Sequence, residues 1–156
     1  MNIFNKFSFN FLDNYYIDIY NDVLNTCNNN YNILFINHNY FNPLNHFSHI
    51  IKKYNINIYL IFNKESIIEK ISNEIENEEC SENIHFNFVD IDGMSVVSNK
   101  ISFHKIILLH INSINYLNNT LDLIKNFYSN NFELYFYVSL SNKENNYSEN
   151  KNTIRS

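Results

Sequence analysis

The sequence predicts a single α/β domain built around a mainly parallel sheet of about five strands. Short apolar runs bounded by polar residues recur along the chain, as expected of strands buried on both faces. Segments with apolar residues at helical spacing lie between them. The two kinds alternate, which requires parallel strands joined by crossovers. A length of 156 residues fits one domain, and 45% hydrophobic residues are ample for a core. No internal repeat or linker divides the chain.

Taken in order, Leu12, Tyr16, Ile19, Val23 and Cys27 recur at spacings of three and four, which predicts an amphipathic helix over 9–27. Tyr20 and Leu24 widen its stripe, and Asn28, Asn29 and Asn30 end it. Residues 32–37 form the first buried strand. Asn42 and Pro43 suit the N-cap and first position of a second helix, in which Leu44, Phe47, Ile50, Ile51 and Tyr54 share a face. The run 57–62 is the second strand. Asn63 is placed to cap a helix over 65–79, with Ile67, Ile68, Ile71 and Ile75 inward and a run of glutamates on a solvated outer face. A third strand over 84–89 alternates with polar residues, which predicts a sheet edge. Residues 90–104 read as irregular and hold the only glycine, Gly93. A fourth strand over 105–111, a helix over 115–129 and a fifth strand over 133–140 complete the domain. It is assigned to residues 1–141, with 142–156 a polar, flexible tail.

Charge and composition exclude several functions. The net charge is −5, and no cationic run exceeds Lys52-Lys53. A nucleic-acid surface needs clustered cations to neutralise phosphates, so that partner is disfavoured. Cys27 and Cys80 stand far apart, with neither metal spacing nor a disulfide framework, which fits a reducing, cytoplasmic interior. No apolar stretch reaches the length of a membrane span. Asn is the commonest residue, and Trp, Ala and Gln are absent. This skew follows AT-rich codons, so an Asn at a suggestive position carries little weight.

The most specific stretch runs from Asn99 to Ser141: Phe103-His104 leading into Lys105-Ile-Ile-Leu-Leu-His110-Ile111, a helix, then Glu133-Leu-Tyr-Phe-Tyr-Val-Ser139. With the order of elements before it, it resembles the class I S-adenosylmethionine-dependent methyltransferases. The resemblance covers about residues 9–141 and implies a three-layer αβα, Rossmann-like domain with strand order 3-2-1-4-5. It also implies S-adenosylmethionine as cofactor. In that reading Asn37, His38 and Asn39 line the methionine side, Glu65 approaches the ribose, Asp90 or Asp92 meets the adenine, and His110 and Asn112 face a methyl acceptor.

The chain departs from the family's pattern where the cofactor's needs are strictest. A glycine-rich loop after the first strand lets the backbone approach the cofactor, and here that loop reads Asn37-His38-Asn39-Tyr40. The family's sheet normally ends in an antiparallel hairpin of two further strands, and this chain is expected to stop at the fifth. The resulting expectation is a degenerate methyltransferase-like domain, a non-catalytic binding or scaffold subunit. It would meet a protein partner, or a second copy of itself, through the edge of the fifth strand. An active methyltransferase of unknown acceptor is the alternative.

Other motifs weigh less. Asp90-Ile91-Asp92-Gly93 after an apolar strand is similar to the nucleophile loop of haloacid-dehalogenase-type phosphatases, which use Mg²⁺. It lacks a downstream acidic pair, and Asp and Gly are ordinary turn residues. His46 and His49 share a helical face, with His38 before them, but no complete ligand set accompanies them, so no metal is expected. Ser139 and Ser141 lack the glycines of a nucleophile elbow.

Overall fold

In the computed structural model residues 3–62, 64–88, 101–124, 128–139 and 149–155 are described. They form α1 (Ile3–Leu24), β1 (Asn32–His38), α2 (Leu44–Tyr54), β2 (Asn57–Phe62), α3 (Glu65–Ile75), β3 (Ile84–Phe88), β4 (Phe103–Ile111), α4 (Ile114–Ile124), β5 (Tyr128–Ser139) and β6 (Glu149–Arg155). The sheet order is β3-β2-β1-β4-β5-β6. The first five strands are parallel in the expected order 3-2-1-4-5, with β3 at the edge. Helices cover both faces in a three-layer, Rossmann-like αβα arrangement.

Strand alternation divides the core. Ile33 and Phe35 of β1, with Ile58 and Leu60 of β2 and Ile107 of β4, point to the face covered by α1, α2 and α3. Leu34 and Ile36, with Ile61, Ile106 and Leu108, point to the opposite face, where Ile124, Leu117 and Leu121 of α4 pack. Both faces of the central strands are dry, which is why these strands are apolar throughout.

Boundaries differ from expectation in instructive places. At α2 the Asn42 carbonyl oxygen of the side chain accepts the Leu44 N–H at 3.0 Å, so Asn42 caps the helix in the way its residue type suggests. The cap expected from Asn63 lies outside the described residues, and the residue before α3, Lys64, makes no side-chain cap bond. β4 begins at Phe103, earlier than expected, and β5 begins at Tyr128, within the last turn of the expected helix.

The principal correction is β6. Residues 149–155 form an antiparallel strand on β5, from Glu133↔Arg155 to Ser139↔Glu149. The sequence reading placed them in a flexible tail and left the outer edge of β5 open. That edge is covered. The segment is polar and carries no alternating apolar pattern, so nothing in its residue types marks it as a strand. Its pairing comes from backbone hydrogen bonds offered by β5.

Lys105 is a second feature that composition hides. It lies within the apolar run of β4 and is 1% exposed. Its Nζ donates to the Val23 carbonyl at 2.6 Å, to the Thr26 hydroxyl, and to the Tyr135 hydroxyl at 3.5 Å, with the Glu133 carboxylate 3.8 Å away. It fastens the carboxyl end of α1 to the sheet, a placement a helix dipole favours.

Candidate functional site: the crevice at the carboxyl ends of β1 and β4

In an open parallel sheet the ligand crevice lies outside the carboxyl ends of the strands where the connections diverge. Here β1 leads outward to β2 and β4 leads outward to β5, so the divergence falls between β1 and β4. The two strands end in matched irregularities. Asn37 has φ 67° and His110 has φ 53°, both in the left-handed region. Asn and His tolerate that region better than most residues, though not as freely as glycine. The β1 register shifts between Ile36 and His38, and the β4 register shifts between Leu108 and Ile111.

A one-residue irregularity reverses the side on which later side chains fall. His38 is thereby turned onto the α1 face, against Phe35, Phe41 and Phe62. His110 turns to the same face, against Tyr15 and Tyr16 of α1. Asn37 ties the two strand ends together, its side-chain amide donating to the Leu109 carbonyl at 3.0 Å.

Helix α1 lies over this crevice and fills it. Tyr16, Tyr20 and His38 are each 0% exposed. His38 Nδ1 is 2.5 Å from the Asn39 carbonyl, so that nitrogen carries the proton and donates. His38 Nε2 must then accept from the Tyr20 hydroxyl, 2.9 Å away. The Tyr16 hydroxyl accepts the Asn39 N–H at 2.8 Å, which directs its own proton to His110 Nε2 at 2.9 Å. The network closes with both imidazoles neutral. Burial pushes His38 down to about 3 and lowers His110. Burial also raises both tyrosines well above the usual phenol range. Neither His38 nitrogen is available as a base, since each already has a partner.

Asn39, the last of the three residues expected on the methionine side, is half-buried. It borders a separate cleft of about 530 Å³ between the loop after β1 and the start of α3, lined by Asn39, Tyr40, Lys64, Ser66, Ile67 and Lys70. Glu65 is exposed on the first turn of α3 and does not line that cleft. Asn112 is exposed beyond the end of β4. Asp90 and Asp92 lie outside the described residues. The structure therefore brings His38 and His110 together through Tyr16, whereas Glu65 and Asn112 are exposed.

The participants that sequence reasoning missed are Tyr16 and Tyr20. Their helical spacing placed them on the buried face of α1, but nothing in that spacing told core packing from crevice filling. His46, His85 and His104 have structural partners, and His49 is exposed. His46 stacks on Phe41 with an interplanar angle of 6°. His104 stacks on Tyr31 and accepts the Asn32 N–H at 3.0 Å, at the opposite end of the sheet from the crevice. Among the described residues no group of three or more His, Cys, Asp or Glu is placed to hold a metal ion. Among the same residues no helix is long and apolar enough to cross a membrane.

No family of known sequences matches the chain, and no curated protein does. Solved structures do. The Methanococcus jannaschii fibrillarin pre-rRNA processing protein superposes with a TM-score of 0.55 at 15% identity, over 71% of this chain and 46% of its own. The cyclopropane synthase MmaA2 from Mycobacterium tuberculosis gives 0.59 at 8% identity, over 79% and 42%. A geranyl diphosphate methyltransferase in complex with GPP and sinefungin gives 0.56 at 4% identity, over 78% and 44%. The fold is that of the class I S-adenosylmethionine-dependent methyltransferases. Identities this low establish the fold alone, and the chain spans less than half the length of each of these proteins.

The methyltransferase-like fold puts the cofactor in question directly against the observed crevice. S-Adenosylmethionine needs backbone without Cβ atoms beside it at the end of β1, and a free space between β1 and β4. Here that position carries Asn37 and the buried His38 ring, and α1 supplies two tyrosine rings. The residues present do not fit the cofactor's methionine end in the arrangement described.

Proposed function

We propose that this chain is a non-catalytic binding or scaffold domain with a methyltransferase-like fold. The observation that carries the reading is the closed network of Tyr16, Tyr20, His38 and His110 across the crevice where the cofactor would lie. The Tyr16 and Tyr20 hydroxyls, both His38 nitrogens and His110 Nε2 are engaged within the protein, so none of these atoms is free to orient a methyl donor or take a proton from an acceptor. A protein partner is the companion expectation. With β6 on the outer edge of β5, strand addition would use β3 or the outer edge of β6.

Isothermal titration with S-adenosylhomocysteine tests this. The expected result is no binding at millimolar ligand by a chain shown folded by circular dichroism. Micromolar binding would overturn the reading and favour an active methyltransferase in which α1 moves aside.

A further inference from the structure

We propose that the outer edge of β6 pairs with the same strand of a second copy of this chain, antiparallel about a twofold axis, joining two six-stranded sheets into one. This pairing rests on the scaffold reading above and gives that scaffold its partner. β6 ends the sheet, and no strand lies beyond it among the described residues. An edge of this kind offers its backbone groups to a further strand.

The registers decide which strand fits. Lys105 of β4 stands opposite Glu133 of β5, and Glu133 stands opposite Arg155 of β6. Lys105 Nζ lies 3.8 Å from the Glu133 carboxylate, so the first step of this row is an ion pair. One cross-strand row therefore runs cation, anion, cation, and reaches the edge of the sheet at Arg155. The position that continues it calls for an anion. β6 carries one at its own other end, where Glu149 stands opposite the neutral Ser139.

The strand reads Glu-Asn-Lys-Asn-Thr-Ile-Arg. Two copies laid antiparallel with full overlap meet Asn152 to Asn152, which sets Glu149 of each opposite Arg155 of the other. The row then continues with alternating sign as Lys105, Glu133, Arg155 and Glu149 of the second copy, and the twofold axis repeats it at the other end. Lys151 falls opposite Thr153. A slip of one residue would turn one strand's residues to the wrong face. A slip of two sets Lys151 against Lys151 in one direction and against Arg155 in the other, and like charges directly opposite are destabilising. Charges on an exposed edge ordinarily repel an added strand. Here their order accepts one register and penalises its neighbours. β3, at the far edge, carries no Asp, Glu, Lys or Arg that could fix a register.

The test is equilibrium sedimentation of the full chain over a concentration series, at low and at high salt. An edge contact of seven residues is small, so dimers are expected at about 10–100 μM protein. The expected result is a mass that rises with concentration from 18.8 kDa towards twice that value, and rises less at high salt. Glu149→Arg turns two attractive pairs into two repulsive ones and should weaken the dimer about tenfold. Its cross-strand neighbour within its own chain is Ser139, so β6 keeps its place on β5. Arg155→Glu should weaken the dimer likewise, and an equimolar mixture of the two variants should recover it, because each then offers the other its complement. Circular dichroism verifies folding in every sample. A mass of 18.8 kDa at every concentration would overturn the proposal, as would a dimer indifferent to Glu149→Arg or a mixture that stays monomeric. The S-adenosylhomocysteine titration reads the crevice and not this edge, so the two readings fail separately.

Discussion

Replacing Tyr16 by phenylalanine removes one oxygen atom and nothing else from the centre of the crevice. That oxygen accepts the Asn39 N–H at 2.8 Å and donates to His110 at 2.9 Å. The ring itself stays stacked on Phe41, with centroids 5.1 Å apart, so packing is preserved. A neutral hydrogen bond contributes about 0.5–1.5 kcal/mol net, and a buried group left without a partner costs about 1–3 kcal/mol. Two groups lose their partner, but Asn39 and His110 are only half-buried, so water recovers part of each loss. The expected cost is about 2 kcal/mol. With a urea slope of about 1–3 kcal/mol/M, the unfolding midpoint should fall by about 1 M. His110 should also titrate higher than in the parent, because its neutral form loses a donor. Urea unfolding and NMR titration of the His110 ring check both. A midpoint within about 0.2 M of the parent, with His110 unmoved, would refute the idea that the Tyr16 hydroxyl locks the crevice.

Three further outcomes follow from the same geometry. His38 is held neutral, with its folded pKa near 3 against an ordinary 6.5, so the folded state binds fewer protons than the unfolded one. Its contribution is fully present above pH 6.5 and is lost as pH falls towards 3, by several kcal/mol; a His38→Phe variant should show a flatter stability profile across that window. Lys105→Met should change stability by less than about 1 kcal/mol, because an apolar chain of similar length replaces a costly buried cation. Its partners also keep alternatives: Val23 still accepts the Cys27 thiol, and Tyr135 still donates to Glu133. Lys105→Ala, which leaves a cavity as well, should cost about 3 kcal/mol in the same denaturation assay. At Asn37, with φ 67°, a β-branched valine should cost about 2 kcal/mol, whereas glycine trades backbone relief against the lost bond to Leu109 and should stay within about 1 kcal/mol of the parent.

Much of the scaffold was legible because local rules and global fold agree in it. The continuous apolar run of β4 and the alternating stripe of α3 each have one reading, and the order of elements then dictates a parallel sheet. The edge position of β3 followed from His85 and Asn87, polar residues that a central strand would not carry. What escaped was whatever depends on a partner distant in sequence. Lys105 reads as an interruption of a strand until Val23 and Thr26 are seen around it. β6 has no pattern of its own and takes its register from β5. At the candidate site the strand ends were found and their meaning was not. The resemblance assigns Asn37 and His38 to the cofactor and His110 to a methyl acceptor, yet two left-handed residues turn the histidines inward to Tyr16 and Tyr20. A backbone torsion of that kind leaves a glycine signature in most sequences. Here asparagine and histidine adopt it, in a chain where asparagine is too common to attract notice.

The pairing of β1 with β4 at the middle of the sheet also has a kinetic side. Ile33 stands beside Lys105, and the bond from the Asn32 amide to His104 spans 72 residues. β1, β2 and β3 can assemble through short crossovers, β4 and β5 likewise, and β6 adds antiparallel to β5, but the central seam forms only when a long segment closes. Loop closure grows slowly with length, yet its cost falls due before the seam's hydrogen bonds form. The seam that ends at His38 and His110 is therefore expected to limit the folding rate, and substitutions along β1 and β4 should slow folding more than equally destabilising ones in β3 or β6 in stopped-flow refolding.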